Sequence, residues 1–399
     1  MKIRTTVLIA LISAAAAGAG AWYARGNYDM YASYNLVTKV LNAENVLDEA
    51  FLYDYDKEKA ADYAIAGMTL SLEDPYTVYY DKSQFESYMD SNEGDYVGVG
   101  ITVIWDKESD EISVVSVLED SPGMEAGIKP GDVICAVDGV EYRGSQMNDA
   151  VIKIRGLDLE GDIENTNVNV TIKRKGKEMD VTLTRRKLHQ DTVSYKMIDK
   201  SIGYIQITAF NASSSTGAKS TDKEFISAFE NLQNQGMKKL IIDVRDNGGG
   251  RLDVVSEIID FIVPEGLIMY AQNKYGERDE LKSDKREVNM PMAVLVNGNS
   301  ASASELLTGA LKDYDKAEII GTKTFGKGVM QTVYPFSDGS GITVTIAKYY
   351  TPLGTCVQDD GIEPDIVVQM PESLQDKYIS SIEAKDDAQL QAAIEFLKK

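Results

Sequence analysis

The chain has 399 residues, enough for two or three domains, and 43% of them are hydrophobic, which supports real cores and excludes wholesale disorder. With 63 acidic against 41 basic residues the formal charge is −22, which argues against nucleic acid and anionic membrane surfaces as partners. Cys135 and Cys356 lie far apart without framework spacing and read as free thiols or buried fillers.

At the N-terminus, Lys2 and Arg4 precede an apolar run from Thr5 to about Tyr23. Residues 1–25 therefore read as a secretory signal or an uncleaved membrane anchor, with an Ala-x-Ala site at Ala19 to Ala21. In either case the rest of the chain is exported. Residues 26–93 read as a helical region: Leu36, Val37, Val40 and Leu41 recur at helical spacing, as do apolar positions from Ala60 to Leu72, before Asp74, Pro75 and Tyr76 break the pattern. Its expected role is packing or self-association.

A second module is expected over 94–187. Tyr96 to Ile101 leads into an alternating strand, Ser113 to Val117 forms another, and SPGMEAGIKPGDVICAVDGVEY follows from Ser121 to Tyr142. Two further strands flank Lys175 and Gly176. This arrangement resembles a PDZ domain, a β-sandwich or barrel module that adds a peptide as an extra strand and holds its C-terminal carboxylate on backbone N–H groups. The resemblance puts peptide binding at Gly98, Val99, Gly100 and Ile101.

From 188 to 372 strands alternate with helices, as in an α/β core. The strand Lys239 to Val244 delivers Arg245, Asp246 and three glycines, whose freedom lets backbone N–H groups point into a site. The apolar run Met292 to Val296 reads as a buried strand, and Ser300 to Glu305 (SASASE) then sits at a helix N-terminus, where unpaired N–H groups favour developing negative charge. One reading of Ser300 is an ordinary helix cap. The tail, 373–399, ends in a helix with Leu390, Ile394 and Leu397 on one side, suited to packing or dimerisation.

A serine nucleophile needs a base, and the one histidine, His189, reads as an exposed connector residue. A single histidine and the absence of HExxH or CxxC also leave metal and thiol chemistry poorly supported; no metal or organic cofactor is expected. Lys327, in FGKG before the strand Val329 to Tyr334, is the candidate base. On an alternating strand Lys327, Val329, Gln331 and Val333 would share an apolar face, lowering the lysine pKa by desolvation and letting Gln331 orient the amine.

SASASE, FGKG with Gln331, and IDVRDNGGG at Ile242 to Gly250 together resemble the carboxyl-terminal processing proteases, the tail-specific serine peptidases of family S41, subfamily A, that use a Ser/Lys dyad. The 25 residues between Ser302 and Lys327 match the family spacing for the middle serine. The resemblance implies Ser302 as nucleophile, Lys327 as general base, Gln331 as its partner, and the N–H groups of Gly249 and Ala303 as oxyanion donors; the departure at Gly248 leaves the choice of glycine open. It also implies a multidomain α+β protein with a ClpP/crotonase-like protease core, and substrates recognised by their C-terminal tails at the bacterial envelope. Arg155 resembles an arginine that relays peptide binding in some relatives, and is equally readable as a solvated helix-end residue. A homodimer through the terminal helices is a further expectation. Two rivals stay open: a catalytically inert PDZ scaffold, and a penicillin-binding-type enzyme using the SxxK at Ser220 to Lys223, whose SDN and KTG companions are absent.

Overall fold

The computed structural model describes residues 30–399 apart from 93–94, 107–108, 158, 160–162, 190, 214–218, 375–378 and 380–381. The apolar N-terminal segment lies outside the described residues; among those described, no helix is long and apolar enough to cross a membrane. The chain forms two units, residues 1–65 and 66–399.

The first unit holds helix α1 (Met30–Ala50) and the beginning of α2 (Lys57–Leu70). Tyr55 donates to Asp48, and Lys57 pairs with Glu44 and Asp48, which staples the two helices at their connection. The predicted stripe of Leu36, Val37, Val40 and Leu41 is exposed.

In the second unit, strand β1 (Val78–Tyr80) and helix α3 (Lys82–Asn92) come first. The strand lies within the stretch expected to be helical and departs from that reading: Pro75 ends helical geometry, and the Val-Tyr-Tyr run that follows suits a pleated edge. The PDZ module follows, with β2 (Asp95–Gly98), β3 (Ile101–Asp106), β4 (Glu111–Val117), α4 (Pro122–Glu125), β5 (Val133–Val137), β6 (Val140–Glu141), α5 (Met147–Arg155), β7 (Asn167–Arg174), β8 (Lys177–Thr184) and β9 (Arg186–His189). Its antiparallel sheet runs β3-β4-β5-β7-β8, with β6 on β5 and β2 paired to β9. Ile112, Val114, Val168, Val170 and Ile172 alternate inward against Ala150 and Ile154 of α5. Lys175 and Gly176 both have positive φ, 51° and 77°, as a two-residue hairpin turn requires.

The core comprises β10 (Val193–Met197), β11 (Ile202–Ile207), α6 (Thr221–Asn234), β12 (Lys239–Asp243), α7 (Leu252–Ile262), β13 (Gly266–Asn273), β14 (Arg278–Ser283), β15 (Met292–Val296), α8 (Ala303–Asp313), β16 (Glu318–Gly321), β17 (Val329–Pro335), β18 (Gly341–Tyr350), β19 (Ile366–Val367) and α9 (Ala388–Lys398). One sheet runs β10-β11-β12-β15-β16-β19, parallel except at β10. Leu240, Ile242, Val294 and Val296 face α6, α7 and α8, whereas Tyr204, Ile241, Ala293 and Leu295 face Leu390, Ala393, Ile394 and Leu397 of α9. Both faces are covered, so β15 is apolar throughout. The predicted apolar side of the tail helix therefore packs on its own chain.

Arg245 is buried beneath α9, held by Asp243 and Asp387, with Gln389 accepting a further bond. Burial opposes its charge, but the two carboxylates raise its pKa further, and burial pushes the neighbouring Tyr204 phenol up as well. The second core sheet, β1-β18-β13-β14 with β17 on β18, is antiparallel and carries the lysine loop at its edge.

Candidate active site

Three serines compete for the nucleophile role, and burial separates them. Ser300 donates to the Val244 carbonyl at 2.8 Å, and Ser304 to the Asn247 carbonyl at 2.8 Å; both are fully buried staples to the loop after β12. Ser302 alone of the three keeps partial exposure. It caps α8 with φ 55° and ψ −113°, a conformation costing a non-glycine residue roughly 1–3 kcal/mol.

Gly249 packs directly against this turn. A Cβ there would stand 2.9 Å from Ser302 Cβ and 2.8 Å from the Ala301 oxygen, and its φ of +108° also requires glycine. Ala303 is the first helical residue, so its N–H has no intrahelical acceptor. The Gly249 N–H instead donates to Asn247 Oδ1 at 2.8 Å. The two expected oxyanion donors are thus adjacent, with one engaged internally.

Lys327 precedes β17 rather than lying in it, and the β17–β18 pairing shifts register opposite Met330 and Gln331 because β18 carries the extra residue Ile346 there. The expected strand face therefore reaches only Val329, Gln331 and Val333, and Lys327 sits in the loop ahead of it. Gln331 Nε2 donates to Thr345 Oγ1 at 3.3 Å, and among the described residues no hydrogen bond joins it to the lysine. The Lys327 amine lies over the Tyr76 ring, 4.5 Å from its centroid, and among the described residues it makes no hydrogen bond to Ser302 Oγ. Burial lowers the lysine pKa as expected, while the Asp74 carboxylate acts in the opposite direction.

What joins serine and lysine is a pair of buried side chains absent from the sequence reading. Glu305 Oε2 accepts from the backbone N–H of Ser302 at 2.9 Å and of Lys327 at 2.8 Å; Oε1 accepts from Gly326 N at 2.7 Å and Thr324 Oγ1 at 2.7 Å. On the carbonyl side, the Tyr349 hydroxyl lies 2.9 Å from the Ser302 oxygen and 3.0 Å from the Lys327 oxygen. One carboxylate and one phenol clamp both residues by their backbones. The Ser-x-x-Glu spacing of a capping box was the available signal for Glu305; Tyr349 had none.

The turn before β1, expected only to pack or self-associate, borders the lysine. Asp74 accepts from Tyr76 N and Thr77 Oγ1, and Thr343 Oγ1 donates to the Tyr76 carbonyl, which pins the turn to β18.

The peptide-binding expectation falls on one cleft of about 590 Å³, lined by Gly98, Val99, Gly100 and Ile101 together with Arg155 and core residues of the 208–211 segment. Arg155 ends α5 with its guanidinium 6.0 Å from the Tyr96 ring centroid, inside the cleft rather than in solvent. Two other readings change. His189 is largely buried, not exposed, and lies 3.8 Å from Glu224, which also accepts from Thr192 and Val193. In the SxxK, Ser220 is buried and Lys223 donates to Ser213, so the pair does not form a nucleophile and base.

Comparison with known proteins follows the same division. Residues 201–368 match peptidase family S41, 113–157 a PDZ domain, and 16–84 the N-terminal domain of the activating protease CtpB. A probable CtpA-like serine protease of Staphylococcus aureus (strain COL) is 36% identical over 84% of this chain; the chain spans 65% of that relative's length. A Staphylococcus saprophyticus protein of the same description is 33% identical over 93% of this chain and 72% of its own. Among solved structures, a photosystem II D1 C-terminal processing protease is 29% identical, with TM-score 0.50, over 82% of this chain and 86% of its own. An S41 protease from Bacteroides fragilis shares the fold at TM-score 0.59 and 17% identity, over 87% and 92%. With its PDZ module, serine turn and lysine loop in this order, the chain belongs to peptidase family S41, as a CtpA-like member carrying a PDZ domain.

Proposed function

We propose that the chain is a serine endopeptidase that cleaves exported proteins near their C-termini, with substrate tails captured by the PDZ cleft. One observation carries this reading. The only partly exposed serine of SASASE sits on a strained turn against Gly249, and Glu305 and Tyr349 tie it to the loop of a desolvated lysine.

In the proposed reaction Ser302 Oγ attacks a peptide carbonyl while Lys327 takes the hydroxyl proton. The oxyanion is held by Ala303 N–H and, once the Asn247 bond is exchanged, by Gly249 N–H. The C–N bond breaks as the leaving amine takes the proton from Lys327; the neutral Lys327 amine then deprotonates a water that attacks the acyl carbon, and Ser302 Oγ leaves with that proton. Gln331 supports the amine after leaving Thr345. Arg155, lining the cleft, is positioned to sense a bound tail. The N-terminal run serves as signal or anchor; cell fractionation with external protease tests that address. Because α9 is packed internally, the exposed stripe of α1 is the proposed homodimer contact, and an unchanged sedimentation coefficient for Leu41→Asp would reject it.

The decisive experiment is mass spectrometry of products from a protein with an apolar, disordered C-terminal tail. The parent should generate discrete C-terminal cuts, and both Ser302→Ala and Lys327→Ala should abolish them. Persistent cleavage by Ser302→Ala overturns the assignment.

A further inference from the structure

We propose that Tyr76, presented by the Asp74 to Thr77 turn, is a positioning residue that holds the Lys327 amine away from Ser302, so that acylation requires the lysine to leave the ring. The inference rests on the Ser302/Lys327 reading above and goes beyond it by naming what restrains the base.

The Lys327 Nζ lies 4.5 Å from the Tyr76 ring centroid, in the geometry by which an aromatic face attracts an ammonium ion. The ring cannot easily drift. Its backbone is fixed by Thr343 Oγ1, which donates to the Tyr76 carbonyl at 3.0 Å, and by Thr345 N, which donates to Thr77 Oγ1 at 3.1 Å. Beside it, β1 is registered on β18 from Val78 to Tyr80. The same patch engages Gln331: its amide donates to Thr345, whose backbone N–H donates to Thr77 Oγ1 of the turn. One turn therefore occupies both the base and its expected partner.

Burial holds the Lys327 pKa below its ordinary value, and the Asp74 carboxylate nearby acts against that lowering. Asp74 faces Lys327 from the turn and favours its protonated form, against the burial that disfavours it. Glu305 on α8 accepts from the Lys327 backbone N–H, and Asp359, from the segment packed under Gly326, reaches the Tyr76 phenol electrostatically together with Asp74 and Glu305. While it is protonated on the aromatic face, the amine cannot accept the serine proton. Removing the ring face should both free the amine and favour its neutral form.

The test is the rate at which a fluorophosphonate labels Ser302 in the full chain, followed by mass spectrometry between pH 5 and 9. Tyr76→Leu keeps apolar bulk but removes the π face; labelling near neutral pH should become about tenfold faster, equivalent to about 1.4 kcal/mol, and the acid limb of the profile should move to lower pH. Tyr76→Phe restores the ring and should return both to within about twofold of the parent, given the conserved face. Asp74→Asn should move the acid limb in the same direction as Tyr76→Leu. Slower or equal labelling of Tyr76→Leu, with a parent-like thermal midpoint, overturns the restraint. If Tyr76→Leu is unstable, an unshifted acid limb in Asp74→Asn overturns it independently. Labelling that survives Ser302→Ala or Lys327→Ala would instead show that the dyad reading itself had failed.

Discussion

Replacing Glu305 with glutamine changes one oxygen for an amide and leaves the shape almost intact. In the parent, every group aimed at this fully buried side chain donates: three backbone N–H groups and the Thr324 hydroxyl. Glutamine can keep its oxygen toward Ser302 and Lys327 only by turning its NH₂ toward Gly326 N–H and Thr324. The hydroxyl can rotate to accept, but Gly326 N–H is left without a partner at a cost of about 1–3 kcal/mol. The bonds that remain lose their charged acceptor, so roughly 2–4 kcal/mol in total is the expected loss. The opposite rotamer opposes the amide to Ser302 and Lys327 and displaces the dyad directly. Urea denaturation should give this loss, and fluorophosphonate labelling of Ser302 in the folded variant should fall by at least about tenfold, since small misplacements of reacting groups are costly. A Glu305→Gln protein with parent stability and parent labelling rate would refute the clamp.

Tyr349→Phe deletes the hydroxyl shared by the Ser302 and Lys327 carbonyls; about 1–2 kcal/mol of stability and a several-fold loss of labelling are expected by thermal melts and the same assay. Gly249→Ala forces a Cβ to within 2.8 Å of the Ala301 oxygen at a φ reserved for glycine, and peptide cleavage should be lost while circular dichroism stays folded. Because burial depresses the Lys327 pKa below its unfolded value of 10.5, the folded state binds this proton more weakly, and the charged lysine costs stability at all lower pH. Lys327→Met should therefore stabilise the protein at pH 7, with the advantage shrinking as pH rises toward 10.5; equal stability of the two at pH 7 would contradict this. Arg245→Ala strands Asp243 and Asp387 under α9 and should cost about 3–5 kcal/mol in urea denaturation, with the tail becoming sensitive to protease.

Ser302 and Lys327 stand out as candidates because each sits in a local pattern: small residues after a buried strand, and a lysine between glycines. The hairpin at Lys175 and Gly176, the all-apolar β15 and the stripe of the tail helix were legible for the same reason, since two- and 3.6-residue periods are written along the chain. What the sequence could not decide were contacts between residues far apart in it. Tyr76 meets Lys327 across 251 positions only because β1 pairs with β18, Tyr349 reaches back to Ser302 from the end of that strand, and Gln331 donates to Thr345 across the β17–β18 pair. Local propensity sets which side of an element is apolar, whereas strand pairing and register set which distant groups share a buried, low-dielectric site; the restraint on the base is a property of that pairing.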